Sequence, residues 1–313
     1  MINVAILGIT GYLGNELKKL LFLHDGVKIV YAASRYFGKK EENDELKKAQ
    51  VVFLAWPHRE SMEKVPEILE LVDKVIDLSG AYRLKDASQY PTFYGWEHLF
   101  PSLLEKAVYG LPEKKRGIIV SSELVANAGC YETAIIIGLM PFRIEGLISS
   151  DEIKVEAVSG YTGAGKGAKI PKVITSYKSG RQHQHVPAIE QELNIPGRLL
   201  FCPSIAPFPR GILANIFVRP NNVLTLEQIY DLYGDFYNKE PFKEPFIRIK
   251  QEINLKEVIK TNFCDIAVQL EESLVRITVA LDNLRKGGSS QAIQNFNIMY
   301  DFPETKGLLN RQP

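Results

Sequence analysis

A glycine-rich turn at the start of the chain constrains its fold more than any other feature. The apolar run Ile2–Leu7 is typical of a buried strand, and Gly8-Ile9-Thr10-Gly11-Tyr12-Leu13-Gly14 follows it directly. From Leu13 onward, leucines recur at the i, i+4, i+7 and i+8 positions of an amphipathic helix. This order is what a dinucleotide-binding fingerprint requires, because the turn brings backbone N–H groups to a pyrophosphate. The spacing G-x-x-G-x-x-G differs from G-x-G-x-x-G, and an ordinary glycine-rich turn is the alternative.

Strands and helices alternate after this turn. We predict strands at Lys28–Ala33, Val51–Ala55 and Lys74–Leu78, and a helix at Ser61–Leu71. This alternation is typical of a doubly wound parallel sheet, in which ligands bind beyond the carboxyl ends of the strands. Arg83 lies just past this edge, where its guanidinium could bind a phosphate or form a surface ion pair. The segments expected along the edge are the glycine turn, Ser34-Arg35, Trp56-Pro57-His58 and Ser79-Gly80.

The end of the second predicted strand indicates which dinucleotide binds. Ser34-Arg35 stands where an acidic residue would hydrogen-bond the ribose 2′-hydroxyl of NAD. No Asp or Glu occurs between Val27 and Lys40, and an arginine accommodates the 2′-phosphate of NADP. We therefore expect NADP as the cofactor, against the alternative that Arg35 is only a solvated side chain.

Composition argues against several classes of protein. The formal net charge of +1 gives no electrostatic attraction for nucleic acid or an anionic membrane surface, so we expect neither as a partner. Three scattered cysteines are too few for a disulfide framework or a zinc cage, which favours a reducing, cytoplasmic location. A strand-like run begins directly after Met1, so we expect no signal peptide. No apolar run approaches the roughly 20 residues that cross a bilayer.

The pattern changes in the second half of the chain. Ile153–Val158 and Val275–Leu281 alternate between apolar and polar residues, and Leu199–Ala206 and Ile212–Val218 are two further predicted strands. Because turns rather than helices separate these strands, we expect a mixed or antiparallel sheet with one buried face. Thr225-Leu226-Glu227-Gln228 is a capping-box signature, which predicts the start of a helix.

A cysteine stands between the two halves. In Asn127-Ala128-Gly129-Cys130-Tyr131-Glu132-Thr133, Cys130 follows a glycine and precedes the helix-like apolar run Ala134–Met140. The positive end of a helix and its backbone N–H groups stabilise a thiolate, which is the nucleophilic form of cysteine. The alternative is a buried cysteine that packs as a small apolar residue.

Three further segments carry groups suited to binding or catalysis. Ser159-Gly160-Tyr161-Thr162-Gly163-Ala164-Gly165-Lys166 is a loop rich in backbone donors, which can wrap an anion; a mobile surface loop is the alternative. Arg181-Gln182-His183-Gln184-His185 has histidines at i and i+2, but no third ligand accompanies them, so we expect no metal site. One of these histidines is instead a candidate general acid/base for Cys130. Asp282–Gln291 is a polar, glycine-containing loop that we expect to return to the cofactor, with packing of the last helix as the alternative.

Taken together, these motifs resemble the N-acetyl-γ-glutamyl-phosphate reductases of arginine biosynthesis. The resemblance implies a Rossmann-type domain closed by the C-terminal helix, with an inserted α+β domain, in homodimers or homotetramers. It divides the chain into an NADP-binding domain, residues 1–140 with 285–313, and a catalytic and dimerisation domain, residues 141–284. The matching segments are the glycine turn, Val108-Tyr109-Gly110-Leu111-Pro112-Glu113, Asn127–Thr133, Ser159–Lys166, His183–Leu193, Arg210–Leu213 and Asp282–Met299.

The resemblance also implies the chemistry, which is NADPH-dependent reduction of a small-molecule acyl phosphate. Cys130 matches the nucleophile, which forms a thioester and releases phosphate; hydride transfer then gives a thiohemiacetal that collapses to the semialdehyde. His183 matches the family's acid/base histidine. The expected cofactor contacts are Gly8, Thr10, Gly11, Tyr12, Leu13, Gly14, Ser34, Arg35, Ser159, Gly160 and Asn283. The expected substrate contacts are Arg83, Asn127, His185 and Arg210.

The chain departs from the family pattern at three positions and in one segment. Ala128 and Glu132 stand where the family usually has proline, and Ala81 replaces a usual aspartate. A carboxylate at position 132 opposes ionisation of Cys130 unless it points away from the thiol. The segment after Lys40 is also shorter than is usual in the family.

Three alternatives stay open at this point. Thr261-Asn262-Phe263-Cys264-Asp265 resembles the related reductase of carrier-protein-bound aminoadipyl phosphate in lysine biosynthesis, whereas Tyr131 and His185–Leu193 favour the arginine branch. Aspartate-semialdehyde dehydrogenase is a more distant alternative with the same chemistry. A non-catalytic NADP-binding sensor on the same fold would explain the departures, but Cys130 and His183 are both present.

Overall fold

The computed structural model describes residues 1–149, 151–240 and 243–309. By its internal contacts the chain forms two compact units, Met1–Gly129 with Gly288–Pro313 and Cys130–Gly287. The sequence predicts boundaries after residues 140 and 284, so the two divisions differ over residues 130–140 and 285–287. The helix that begins at Cys130 packs against strands and a helix of the second unit, which explains its place there.

The first unit is built on a parallel sheet. In the described residues its strands are β1 (Ile2–Leu7), β2 (Val27–Ala33), β3 (Val51–Leu54), β4 (Lys74–Asp77), β5 (Val108–Gly110) and β6 (Leu124–Asn127). Their order is β2-β1-β3-β4-β6-β5, and all the pairings are parallel. The predicted doubly wound sheet is confirmed. Strands β3 and β6 are buried along their whole length, as expected for a sheet covered on both faces.

Helices connect these strands. They are α1 (Tyr12–Phe22), α2 (Lys40–Leu46), α3 (His58–Leu69), α4 (Tyr90–Tyr94), α5 (Pro101–Lys106) and α6 (Pro112–Ile119). The C-terminal helix Ser290–Met299, called α10 because three helices of the second unit precede it, is buried on all sides. Its Asn295 side chain donates to the carbonyl oxygen of Gly110 and to Oδ1 of Asn127, so it ties down the ends of β5 and β6.

Strand β2 forms an edge of this sheet. Within the described residues it pairs with β1 alone, whereas the common order 3-2-1-4-5-6 has one more strand outside the second. The chain passes from β2 to β3 through only the short helix α2. We therefore infer that the short segment after Lys40 lacks the outer strand of the common order.

The second unit is built on a mixed sheet. In the described residues its strands are β7 (Ile153–Gly160), β8 (Thr175–Ser176), β9 (Leu199–Ala206), β10 (Ile212–Val218), β11 (Ile247–Ile249), β12 (Cys264–Glu271) and β13 (Leu274–Leu281). The order is β11-β12-β13-β10-β7-β9-β8. The pairs β7·β9 and β11·β12 are parallel and the others are antiparallel. The predicted mixed sheet is confirmed.

Three helices accompany this sheet: α7 (Cys130–Ile144), α8 (Val186–Leu193) and α9 (Leu226–Tyr237). Helix α7 is buried from Tyr131 to Phe142 and approaches the sheet closely at Gly138. A Cβ there would lie 2.6 Å from Cδ1 of Ile216 and 2.9 Å from Cγ2 of Val279, so any larger residue would displace these side chains. The predicted capping box is confirmed, because Thr225 Oγ1 accepts from the N–H of Gln228 and the Gln228 side chain accepts from the N–H of Thr225.

Candidate active site

The glycine turn after β1 leaves room for a ligand at one of its three glycines. Gly8 has φ +93°, and a Cβ on it would lie 2.4 Å from the carbonyl oxygen of Ala55. A Cβ on Gly14 would lie 2.1 Å from the carbonyl oxygen of Gly8. A Cβ on Gly11 would meet nothing closer than 3.5 Å. The packing of the described residues thus requires glycine at positions 8 and 14 but leaves space at position 11.

The N-terminus of α1 provides the complementary charge. Gly11 is its N-cap residue, no described side chain caps it, and its first turn contains no acidic residue. The backbone N–H groups of the first turn, which have no intrahelical acceptor, and the positive end of an 11-residue helix therefore lie next to Gly11. These residues fit a dinucleotide pyrophosphate, which brings negative charge and acceptor oxygens to this position.

The carboxyl end of β2 presents basic groups. Ser34 and Arg35 are exposed, and the Ser34 carbonyl oxygen accepts a hydrogen bond of 3.1 Å from Nε1 of Trp56. Tyr36 stacks on Trp56, with ring centroids 6.4 Å apart. The nearby Glu42 accepts backbone hydrogen bonds from Phe37 and Lys39. An exposed arginine at this edge suits a 2′-phosphate.

Cys130 is the first residue of α7. It is partly exposed, and none of the three cysteines, all of which lie in the described part of the chain, forms a disulfide. A thiol at the first turn of a 15-residue helix lies at its positive end, which favours the thiolate. Sequence reasoning missed Gly287, where a Cβ would lie 2.7 Å from the Cβ of Cys130. Glycine at 287 therefore keeps the space beside the nucleophile open.

An aromatic cluster surrounds the two histidines. The ring of His183 lies 5.7 Å from those of Tyr131 and Tyr177, 5.2 Å from Phe201 and 4.7 Å from His185, centroid to centroid. Burial is the main cause that lowers the pKa of His183 to about 2, and the charges of His185 and Lys178 lower it further. His183 is therefore a neutral imidazole at physiological pH.

A backbone hydrogen bond determines which nitrogen of His183 carries its proton. The N–H of His185 donates to Nδ1 of His183 at 3.1 Å. A nitrogen that accepts cannot hold the hydrogen of the neutral ring, so we infer that the hydrogen is on Nε2. His183 is thus a hydrogen-bond donor through Nε2. Uptake of a second proton at Nδ1 would break the bond from His185.

The negative charge of Cys130 contributes to the raised pKa values of Tyr131 and Tyr177. Burial raises the pKa of Tyr177 to about 12, and the negative charge of Cys130 contributes to the rise. The pKa of Tyr131 is also raised, mainly by burial and then by Tyr177 and Cys130. Tyr131 donates to the carbonyl oxygen of Ser204 at 3.2 Å. Both tyrosines therefore stay protonated, and the Tyr131 proton is already donated to Ser204.

Glu132 lies two residues after Cys130 on α7. On a helix, residues i and i+2 do not face each other, so Glu132 and Cys130 lie on different sides of α7. The Glu132 side chain is fully buried, and its Oε1 lies 3.6 Å from Nε2 of His185. The departure from the family pattern thus adds a carboxylate beside a histidine.

Two residues of the first unit that we predict to contact the substrate, Arg83 and Asn127, donate hydrogen bonds to backbone carbonyl oxygens. Arg83 is 5% exposed; its Nε donates to the carbonyl oxygen of Asn127 at 2.9 Å and its Nη2 to that of Leu78 at 3.0 Å. The Asn127 side chain donates to the carbonyl oxygens of Ala128 and Gly288. Both residues hold the end of β6, and their predicted contact with substrate stays a prediction.

The remaining predicted contacts lie in the second unit. Asn283 accepts from the N–H of Gly211 at 2.8 Å and donates to Oγ1 of Thr162 at 2.9 Å, so its amide joins two loops. Ser159 donates to the carbonyl oxygen of Gly160, where a Cβ would lie 2.6 Å from the backbone of Arg210. Nη1 of Arg210 lies 3.4 Å from Oδ2 of Asp282. These contacts hold the loops together, and no described cluster of His, Cys, Asp or Glu could hold a metal ion.

Family models match both parts of the chain. Residues 3–121 match the model described as semialdehyde dehydrogenase, NAD binding domain. Residues 130–283 match semialdehyde dehydrogenase, dimerisation domain. Among the described residues, no helix is long and apolar enough to span a membrane.

Curated relatives match almost the whole chain. N-acetyl-gamma-glutamyl-phosphate reductases of Geobacter metallireducens and Pelobacter propionicus are 39% and 41% identical to it, and 98% of each chain is covered. The corresponding protein of Desulforudis audaxviator is 39% identical, over 99% of this chain and 98% of its own. The first two alignments span 344 positions, whereas this chain has 313 residues, so the relatives carry segments that it lacks.

Solved structures support the two-domain fold. Aspartate semialdehyde dehydrogenase II of Vibrio cholerae, complexed with ASA, superposes with a TM-score of 0.73 at 16% identity, over 96% of this chain and 98% of its own. The Francisella tularensis aspartate semialdehyde dehydrogenase gives a TM-score of 0.68 at 10% identity, over 96% of this chain and 100% of its own. At these identities the likeness concerns the fold alone.

Proposed function

This chain belongs to the N-acetyl-γ-glutamyl-phosphate reductase family of the semialdehyde dehydrogenases, and we propose that it reduces N-acetyl-γ-glutamyl phosphate with NADPH. The products are N-acetylglutamate semialdehyde, phosphate and NADP⁺. The observation that carries the proposal is the position of Cys130, at the positive end of α7 and near the buried Tyr131 and Tyr177, whose rings pack against His183. Relatives with this name match 98% of the chain, which favours this substrate over the aminoadipyl, aspartyl and non-catalytic alternatives.

The first stage is attack by the Cys130 thiolate on the acyl carbon. The S–C bond forms as the C–O bond to phosphate breaks, so the enzyme carries a thioester and inorganic phosphate leaves with the bonding electrons. The end of α7 stabilises the thiolate before attack. Gly287 supports this role because it leaves space at the Cβ of Cys130.

A bound NADPH supplies the hydride that reduces the thioester carbon. The resulting tetrahedral oxyanion on Cys130 collapses to the aldehyde and returns the thiolate, so this stage needs no net proton transfer. We propose that His183 stabilises the oxyanion through its Nε2–H, as a neutral donor in a buried site. The predicted acid/base role of His183 is here replaced by a donor role, because Nδ1 accepts from the backbone N–H of His185 and only Nε2–H can face the oxyanion.

NADP is the cofactor we propose in preference to NAD. The glycine turn and the N-terminus of α1 would hold the pyrophosphate, and exposed Arg35, with Ser34, would bind the 2′-phosphate. We propose three additional cofactor contacts, Ser159, Gly160 and Asn283. The Asn283 side chain hydrogen-bonds to Thr162 and Gly211, and so connects the loops that contain these residues.

A homodimer in the cytoplasm is the working form we propose. Residues 130–283 match a dimerisation domain, and β10 presents a row of half-buried side chains that includes Leu213 and Phe217. A reducing compartment would keep Cys130 as a reactive thiol. Light scattering of the purified chain tests the dimer, and a monomer mass at micromolar concentration would contradict it.

The reverse reaction tests the proposed function. We expect N-acetylglutamate semialdehyde, phosphate and NADP⁺ to yield NADPH with wild-type protein and with Cys202→Ala, but not with Cys130→Ala. Binding of NADP⁺ without phosphate-dependent NADPH formation from this semialdehyde would contradict the proposal. Activity with aspartate semialdehyde in its place would reassign the substrate.

A further inference from the structure

A buried carboxylate of α7 and a buried histidine that packs against His183 lie close together. Glu132 is 0% exposed and His185 is 7% exposed. Oε1 of Glu132 lies 3.6 Å from Nε2 of His185, which is ion-pair distance if the ring is protonated. A buried carboxylate is costly unless a positive or donating group compensates it.

The neighbouring histidine cannot share this role. His183 is neutral, and its Nδ1 is occupied by the N–H of His185. The two rings are 4.7 Å apart, so both cannot be charged without mutual repulsion. The geometry therefore divides the pair into a neutral donor, His183, and a ring that can be a cation, His185.

The charges around His185 oppose one another. It is the N-cap residue of α8, and the positive end of a helix disfavours a cation. Lys178 also adds positive charge, since it lowers the pKa of His183. The nearby acidic side chain of α8, Glu190, is paired with Arg181, and Glu192 accepts from Gln191. From α7, Tyr131 is protonated, and Cys130 is two positions before Glu132, a spacing at which helical residues do not face each other. Glu132 is thus the carboxylate placed to favour a charged His185.

We propose that Glu132 is a positioning residue that keeps His185 protonated at neutral pH, so that His185 binds the anionic substrate while His183 stays neutral. The inference rests on the proposed function, which makes phosphate and an N-acetylglutamyl group the ligands of this site. It also gives a purpose to the replacement of the family's usual proline at position 132.

Histidine NMR on the full-length protein with NADP⁺ tests the charge state without any turnover. The chain has five histidines, and the signals of His185 and His183 are identified by their loss in His185→Asn and His183→Asn. In the wild type we expect His185 to titrate above pH 7 and His183 to show no titration between pH 5 and 9. Glu132→Gln should lower the midpoint of His185 by about one pH unit or more. Glu132→Asp keeps the charge and should restore part of the difference.

Steady-state kinetics of the reverse reaction separate binding from chemistry. At pH 7.5 we expect Glu132→Gln to raise the KM for phosphate or semialdehyde about tenfold, with a much smaller change in kcat. The KM of NADP⁺ should not change. A midpoint of His185 that is the same in wild type and Glu132→Gln would overturn the inference while leaving the reductase activity intact. Conversely, a wild-type protein with the expected titration but no phosphate-dependent activity would overturn the proposed function alone.

Discussion

The glycine turn of the first unit and the cysteine–histidine cluster of the second unit are constructed in different ways. The turn is continuous in sequence, and its geometry depends on backbone atoms and on the absence of side chains at Gly8 and Gly14. The cluster brings together Cys130, Tyr177, His183 and Phe201 from separate segments, and its properties depend on burial and charge. We therefore expect that substitutions in the turn act through steric conflict, whereas substitutions in the cluster act through the loss of one chemical group.

The largest effect is expected at the nucleophile. Cys130→Ala should lower kcat by on the order of 10⁴-fold or more, because no other group can form the thioester. The fold and NADP⁺ binding should be retained, as judged by thermal unfolding and cofactor fluorescence. Cys202→Ala is the matched control. Comparable losses of kcat in both variants would contradict the assignment of Cys130 as the nucleophile.

The next effect separates the donor role of His183 from an acid/base role. His183→Ala should lower kcat about 10²- to 10³-fold, which is typical for loss of one oxyanion donor. His183→Gln retains an N–H donor and should recover much of that loss. Because burial lowers the pKa of His183 to about 2, its charge does not change from pH 5 to 9, and the Gln variant should keep the wild-type pH profile in that range. Equal losses in the Ala and Gln variants would instead support acid/base catalysis.

Steric conflict in the glycine turn is tested by a pair of alanine variants. Gly14→Ala places a methyl group against the carbonyl oxygen of Gly8 and should destabilise the protein by about 1–3 kcal/mol. Gly11→Ala has space within the protein, so its unfolding temperature should stay close to the wild type. Its KM for NADPH should nevertheless rise, because the methyl group occupies the expected position of the pyrophosphate. A Gly11→Ala variant with unchanged cofactor affinity would remove the ligand-based explanation of this glycine.

A smaller effect is expected at the edge of the sheet. Arg35→Ala should raise the KM for NADPH about ten- to a hundredfold, since it removes a charged hydrogen bond to the 2′-phosphate, and leave the KM for NADH nearly unchanged. Arg59→Ala, which removes an exposed arginine paired with Glu63, is the control. An equal change in KM for NADPH and NADH would show that Arg35 does not bind the 2′-phosphate.

The same contrast explains what could be predicted from the sequence. Strand β1, the glycine turn and α1 follow one another along the chain, so periodicity and turn chemistry predict them together. Cys130 and the histidines could be named individually, but not the backbone bond that makes His183 a donor. The contact of Glu132 with His185 joins segments far apart in sequence, and neither residue shows a local pattern that indicates the other.

Arg83 illustrates a second limit. Its position past the sheet edge predicts a phosphate contact, which stays a prediction, and the structure adds that its guanidinium donates to backbone carbonyl oxygens at the ends of β4 and β6. The sequence shows that an arginine is present but not which acceptors surround it. Gly287 was missed for the same reason, because its need for a small residue comes from Cys130, which is distant in the chain.

Trapping the covalent intermediate tests the central claim most directly. The protein is incubated with N-acetylglutamate semialdehyde and NADP⁺ in the absence of phosphate, so that the thioester forms but is not released as acyl phosphate. We predict a burst of NADPH equal to the number of active sites and a mass increase of one N-acetylglutamyl group on the peptide that contains Cys130. A burst without this adduct, or an adduct on Cys202 or Cys264, would contradict the account.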